Sequence, residues 1–222
     1  MEKLGHNKTL VIAEVGNNHN GSYHLAKKSV LEAKKAGADC VKFQYFSSEK
    51  LVHKNLKTLK HVKTHKFQID RMKMLELSEK EFIALSILTK RLGLKFCLSF
   101  FDKNLITNKM IKYVDYVKIA SSEINNIDLL IEVNKHNKPI IVSTGLSDKD
   151  SLKNDLKRVF KYISKDKLIL LHCISKYPLP FEESNLSNIY NLRKIHNNIG
   201  YSDHTSDIYA CPAAVILGAK II

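Results

Sequence analysis

Glycine and proline are scarce in this sequence. Eight glycines and four prolines among 222 residues exclude collagen-like chains and Pro/Gly-rich linkers. Long apolar runs are missing too. None approaches the roughly 20 residues that cross a bilayer. The run inside MEKLGHNKTLVIAEVG is only about six residues, short of the hydrophobic region of a secretory signal. It reads as a first strand, in a cytoplasmic protein without membrane contact. Cysteine is confined to Cys40, Cys97, Cys173 and Cys211, each in an apolar stretch and none in a Cys-x-x-Cys pair. That spacing favours buried, reduced thiols over a disulfide framework.

Acidic residues are few beside basic ones, 22 against 36, for a formal net charge of +14. The excess is mostly lysine and is spread along the chain. Its densest stretch, residues 54–73, mixes polar with scattered apolar residues and reads as solvated surface. Nucleic-acid binding calls for basic residues interleaved with stacking aromatics, or for a known module, and neither is present. Anionic small substrates would still benefit from the positive field. Apolar residues at 44% and charged residues at 26% are globular values that exclude a wholly disordered chain. The length allows one or two domains, and a chain of this size buries about 70% of its unfolded surface.

What is present is a repeat of short apolar runs and helical patterns. The runs cover residues 10–15, 40–46, 95–101, 116–120, 139–144, 168–173 and 199–204. They are continuous rather than alternating, as in parallel strands covered on both faces. Ser22 caps a helix expected to reach about residue 36, with Gly37 at its end. Ser78 and Glu81 form a capping box for a helix ending near Gly93. Further helices are expected over residues 127–135, 149–163 and 209–217. The strand–helix units recur about every 30 residues, and residues 219–222 begin an eighth strand. Repetition of this kind gives a closed (β/α)8 barrel or an open doubly wound sheet. No glycine-rich dinucleotide fingerprint follows the first strand. Polar residues instead recur at the C-terminal ends of the strands, which favours the TIM barrel, a single domain over residues 1–222. Residues 47–77 stand apart as a long insertion after the second strand, expected to be an active-site loop with one short helix.

The strand ends carry the chemistry. They hold Glu14; Lys42 and Gln44; Ser99; Lys118, Ser121 and Glu123; Ser143 and Thr144; His172 and Ser175; and Ser202, Asp203 and His204. A barrel gathers such residues into one cup. Lys42 and Lys118 lie in apolar strands, where an unpaired ammonium is costly, so each needs a carboxylate or an anionic ligand. With serine hydroxyls around them the cup suits phosphate and carboxylate. Glu14 and Glu123 can act as acid and base, or simply neutralise the lysines. His204 and His19 each suit a general acid/base, a metal ligand or a hydrogen-bonded structural histidine. His172 reads as structural. Asn20-Gly21 is turn chemistry before the Ser22 cap.

Together the segments IAEVGNNHNG, AGADCVKFQ, VKIASSEINN, KPIIVSTGLSD, LLHCISKYPLPFEESNL and GYSDHTSDIYACPAAVILGAKII resemble the sialic acid synthase family, which includes N-acetylneuraminate synthase and its legionaminic and pseudaminic acid relatives. The match runs from about residue 11 to the end, and six pieces in order make it specific. The resemblance implies a (β/α)8 barrel that condenses phosphoenolpyruvate with an N-acylated mannosamine-type aldose, giving a nine-carbon 3-deoxy-2-keto acid and phosphate. It implies Glu14 and Glu123 near the reacting carbons. Substrate binding would fall to Lys42, Gln44, Ser99, Lys118, Ser121, Ser143, Ser175, Tyr177 and Ser202. His204 would be one of two histidines on a divalent metal, Mn2+ or Mg2+. Ser99 replaces the family's usual threonine, and the proline that normally follows is missing.

Family members continue with Glu-Lys-His-Phe or similar, which completes strand eight and supplies the second metal histidine. They then add a last helix and a C-terminal antifreeze-like domain, and they pair as homodimers. This sequence stops at Ile222, so it is either part of a longer protein or the product of a truncated gene. The expectation is therefore a barrel incomplete at its C-terminal end, with an open edge and an exposed apolar seam, and poor activity as written. Two other readings compete. One is a Schiff-base aldolase of the same barrel type with Lys42 or Lys118 as nucleophile. The other is an inactive remnant or a basic module that binds polyanions in a salt-sensitive way.

Overall fold

The structure is a computed structural model and describes residues 8–58, 65–147 and 149–222. It is an α/β fold of repeated strand–helix segments that groups into two compact units. One spans residues 13–115. The other spans residues 116–222 together with the described residues up to Ile12.

The first unit carries β1 (Ile12–Gly16, whose first residue belongs to the other unit), β2 (Cys40–Tyr45) and β3 (Lys95–Phe100), in that order in the sheet. β2 and β3 run parallel, with Lys42 opposite Cys97 and Gln44 opposite Ser99. Registered residues share a face of the sheet and successive residues alternate. Lys42 and Gln44 therefore lie on one face, and Val41, Phe43 and Tyr45 on the other. The apolar face builds an aromatic cluster. Phe43 meets Phe96 and Phe82 at ring-centroid distances of 5.8 and 6.2 Å, and Tyr45 meets Phe82 at 4.9 Å. Phe82 is contributed by α4 (Glu79–Arg91), reached through α1 (Tyr23–Lys35), α2 (Ser48–Leu51) and α3 (Gln68–Met74).

Both expected caps are present. Ser22 accepts from the Leu25 N–H at 3.3 Å. At α4 the Ser78 hydroxyl accepts from the Glu81 N–H, and the Glu81 carboxylate accepts from the Ser78 N–H at 2.7 Å. The insertion holds two short helices, α2 and α3, where one was expected; its residues 59–64 lie outside the described residues, as does that part of the lysine-rich stretch.

The second unit carries β4 (Tyr116–Ile119), β5 (Ile140–Ser143), β6 (Leu168–His172) and β7 (Ile199–Tyr201), paired in sequence order and parallel. Every residue of β5, β6 and β7 is buried, which is why these runs read as continuous apolar stretches. Helices α5 (Ile127–Asn134), α6 (Lys149–Tyr162), α7 (Ser187–Arg193) and α8 (Ala210–Ile216) follow β4, β5, β6 and β7. Helix α7 has no counterpart among the sequence expectations. It is seven residues long, its N-cap makes no side-chain bond, and it buries only Ile189 and Leu192, too little for a periodic signal. The unit after β3 also departs from the regular repeat. Two short 3-10 turns, Lys103–Leu105 and Met110–Tyr113, stand where an α-helix would be. The Asp102 carboxylate accepts from the Asn104 N–H at 2.9 Å and spends the short connection on a turn.

The end of the sequence corrects one expectation. Residues 220–222 are short of a full strand, yet their backbone is paired on both sides. The Lys220 N–H donates to Ile199 O and the Tyr201 N–H to Ile221 O, both at 2.8 Å. On the other side the Leu10 N–H donates to Lys220 O at 2.9 Å, the Ile222 N–H to Leu10 O at 3.0 Å and the Ile12 N–H to Ile222 O at 2.8 Å. Ile221 is fully buried. The edge expected to be open here is bridged, because three residues suffice to pair the facing backbone groups of both neighbours. Among the described residues no helix is long and apolar enough to cross a membrane. All four cysteines are free, and Cys40, Cys97 and Cys173 are buried. Burial holds the Cys40 thiol protonated, well above its ordinary range.

Candidate active site

In the first unit the end of β1 meets the end of β2. Lys42 Nζ forms an ion pair with Glu14 Oε2; the lysine side chain is 16% exposed and the glutamate 44%. The ammonium in the apolar strand thus has the carboxylate partner its burial demands, and that carboxylate remains open to solvent. Glu14 also lines a cavity of about 490 Å3 between β1 and α1. Beside the pair, the Asn17 Nδ2 donates to Gln44 Oε1 at 2.9 Å, which leaves the Gln44 Nε2 as the group that can donate to a ligand. Gly16 sits beneath them at φ +53°, and a Cβ there would lie 2.8 Å from Glu14 Oε1 and 3.6 Å from Gln44 Nε2. Ser99 is buried and registers with Gln44 on the same face. Glu14, Lys42, Gln44 and Ser99 are thus brought to one end of this unit. Asn17 joins them; its place in an Asn-Asn-His-Asn-Gly turn gave only a turn signal.

His19 belongs to the core instead. It is fully buried, packs 6.1 Å from the Phe43 ring, and its Nδ1 accepts from the Gly21 N–H at 3.1 Å. Burial lowers its pKa, against the raising influence of Glu81. Of the three roles its position left open, the structural one fits.

In the second unit the ends of β4, β5 and β6 converge. Ser121 Oγ accepts from the Gly145 N–H at 3.0 Å and lies 3.4 Å from Cys173 Sγ. The Ser175 N–H donates to Gly145 O at 3.2 Å. Ser143 and Thr144 are buried, and the Thr144 hydroxyl donates to Leu171 O. Lys118 is buried and its ammonium donates to Ile119 O at 2.8 Å. Glu123 accepts from Asn126 Nδ2 at 2.8 Å and from the Ser122 hydroxyl at 3.2 Å. It is tied to the cap of α5, since Asn126 Oδ1 accepts from the Leu129 N–H.

At the end of β7, Asp203 organises the loop that carries Ser202 and His204. Its carboxylate accepts from the Tyr201 hydroxyl at 3.1 Å, the Thr205 N–H at 2.9 Å and the Cys211 thiol at 3.4 Å. Burial, then the Asp203 charge, raises the Cys211 pKa to about 12 and raises that of Tyr201 as well. The Ser202 N–H donates to His172 O at 2.9 Å. His172 is structural, as its sequence context implies. Its ring stacks on Tyr201 at 5.8 Å, its Nε2 donates to Ser184 O at 2.8 Å, and burial lowers its pKa.

His204 Nδ1 lies 2.5 Å from Ile174 O. A carbonyl only accepts, so Nδ1 carries a proton, and in the neutral ring Nε2 keeps the lone pair. The Tyr177 hydroxyl sits 3.1 Å from that Nε2, with the two rings 4.1 Å apart. The lone pair therefore faces a hydroxyl that can donate to it. Among the described residues, no three His, Cys, Asp or Glu side chains are grouped so as to hold a metal ion. One imidazole nitrogen is not a divalent-metal site.

The model of the NeuB family matches residues 29–222. An uncharacterized protein of Methanocaldococcus jannaschii is 41% identical over 96% of this chain and 60% of its own length. An N,N'-diacetyllegionaminic acid synthase of Legionella pneumophila is 37% identical over 96% of this chain and 62% of its own. The crystal structure of an N-acetylneuraminic acid synthetase from Leptospira borgpetersenii, in complex with citrate, superposes with a TM-score of 0.82 at 33% identity, covering 97% of this chain and 72% of that one. The chain thus spans 60 to 62% of the length of these two curated relatives.

Proposed function

Because the chain belongs to the NeuB family, we propose that it serves a nonulosonic acid synthase that condenses phosphoenolpyruvate with an N-acylated mannosamine-type aldose. The observation that carries this reading is the Glu14–Lys42 pair, with Gln44 and Ser99 beside it. A partly buried ammonium held by a solvent-open carboxylate can exchange part of that contact for an anionic substrate.

The bond changes define what the residues must do. The methylene carbon of phosphoenolpyruvate attacks the open-chain aldehyde carbon, and the aldehyde oxygen takes up a proton. Water adds at carbon two, which carries oxocarbenium character, and gives up a proton. The resulting tetrahedral carbon expels phosphate by breaking its carbon–oxygen bond, while its new hydroxyl gives its proton to the departing phosphate and becomes the keto oxygen. Lys42 and Lys118 favour the substrate's anionic groups, and the hydroxyls of Ser99, Ser121, Ser143, Ser175 and Ser202 supply donors to phosphate and carboxylate. A carboxylate near carbon two, Glu14 or Glu123, stabilises positive charge there and accepts the proton of the incoming water. Tyr177 offers an exposed ring and hydroxyl to the sugar. A divalent metal remains part of the family expectation. His204 is the residue of this sequence that the resemblance assigns to it, and a metal bound there would act as a Lewis acid toward the aldehyde oxygen.

The test is phosphate release from phosphoenolpyruvate with N-acetylmannosamine or a diacetylated 6-deoxy relative as acceptor, with and without Mn2+ or Mg2+, and mass analysis of the product. A nine-carbon keto acid formed with equimolar phosphate supports the reading. No phosphate with any acceptor sinks it. Borohydride trapping of a pyruvate adduct would point to the aldolase instead. Lys42 in its ion pair and Lys118 on a carbonyl are both engaged as donors rather than presented as nucleophiles.

A further inference from the structure

Gly145 lies just past the end of β5, where three side-chain heteroatoms crowd it. A Cβ on this residue would stand 2.5 Å from Cys173 Sγ, 2.8 Å from Ser175 Oγ and 3.0 Å from Ser121 Oγ. The first two are closer than real Cβ contacts allow. No left-handed backbone requires the glycine; among the glycines with positive φ this one is absent. The requirement comes from the side chains packed against its α-carbon.

The backbone of Gly145 also grips both serines. Its N–H donates to the Ser121 hydroxyl oxygen and its carbonyl accepts from the Ser175 N–H. A serine oxygen that already accepts has one proton left to give. That proton has the Cys173 sulfur as a neighbour at 3.4 Å, and sulfur is a weak acceptor. An anion arriving at Ser121 would replace a weak contact with a charge-assisted hydrogen bond. The Gly145 N–H thus fills one lone pair of Ser121, and whichever of Ser121 and Cys173 donates across their 3.4 Å contact, the hydroxyl proton is at most weakly held by sulfur.

We propose that Gly145 and Cys173 are positioning residues that hold Ser121 as a hydroxyl donor, with Ser175 beside it, for an anionic group of the substrate. This deepens the function proposed above and rests on its reading of Ser121 and Ser175 as anion-binding hydroxyls. The glycine acts through the serines, so its effect depends on them.

The experiment is a double-mutant cycle on the purified protein, with phosphoenolpyruvate and inorganic phosphate as probes of anion binding. Gly145→Ala alone is expected to weaken binding of the probe by tenfold or more. In a Ser121→Ala, Ser175→Ala background the same change is expected to shift affinity by less than threefold. Where turnover is measurable, KM for phosphoenolpyruvate should rise more than kcat falls. Should Gly145→Ala fail to fold, combining it with Cys173→Ala removes the closest clash and is expected to restore folding while anion binding stays weak. Additive effects in the cycle would overturn the proposal, as would full-affinity binding by Gly145→Ala. If the wild type binds phosphate but not phosphoenolpyruvate and the coupling persists, the synthase reading fails while this inference stands. If it binds neither, both fall.

Discussion

Lys42 and Glu14 neutralise one another across the ends of two neighbouring strands, and this decides what removing either one would do. The glutamate is nearly half exposed but the lysine only 16% exposed, so removing the carboxylate leaves a largely buried ammonium without its counter-charge. Glu14→Gln should therefore lower the melting temperature while lowering phosphate release by a hundredfold or more at temperatures where the variant is still fully folded. Turnover that falls only as far as the folded fraction falls would mean that the carboxylate is structural. The buried histidines give a prediction of a different kind. Burial lowers the pKa of His19 and His172 from the ordinary 6.5, so the folded state favours the neutral imidazoles. The stability they confer is present above pH 6.5 and is lost as pH falls from there toward their folded values. The urea midpoint should accordingly drop between pH 7.5 and pH 5. His172→Gln, which keeps a donor toward Ser184, should flatten part of that drop; a pH-independent midpoint in the wild type would contradict the assignment. Residue types at strand ends were legible in the sequence. Their partners were not. Asn17 on Gln44, Cys173 on Ser121 and Gly145 between two serines depend on contacts between segments far apart in the chain, which no local pattern reports.

Helices were legible where their termini are chemically marked. The Ser22 cap and the Ser78–Glu81 box fixed the starts of α1 and α4 to the residue. Ser78→Ala should cost about 1 kcal/mol, seen as a lower urea midpoint with an unchanged slope. Helix α7 carries no such mark and escaped notice, and the segment after β3 spends its residues on turns. β2 also shows why a continuous apolar reading is coarse. Its faces differ, and the alternation that places Lys42 and Gln44 on one side and Phe43 and Tyr45 on the other is what allows a strand to bear both chemistry and core. Substituting Phe43, which is fully buried among Phe82, Phe96 and His19, by alanine should cost about 3–5 kcal/mol. That loss would appear as unfolding rather than as a selective change in kinetics.

Over the whole molecule, the feature with the widest reach is the pairing of residues 220–222 with both Leu10–Ile12 and β7. Ile221 has no exposed surface, and Ile221→Ala should cost about 2–5 kcal/mol, measurable by urea titration. The sequence pattern showed an eighth strand beginning there but not that so few residues would be bonded on two sides, because register between distant segments leaves no trace in either one. The same pairing also sets an order of events during synthesis. The backbone groups of Leu10 and Ile12 are synthesised well before the carbonyl and amide groups of residues 220–222 to which they bond. Until residues 220–222 emerge, that edge has only water, or a chaperone, to satisfy it. On refolding, closing so long a loop carries its entropic cost before these bonds repay it. In pulse-labelling hydrogen exchange, the amides of Leu10 and Ile12 should therefore gain protection later than those of β6, whose partner β5 is close in the chain.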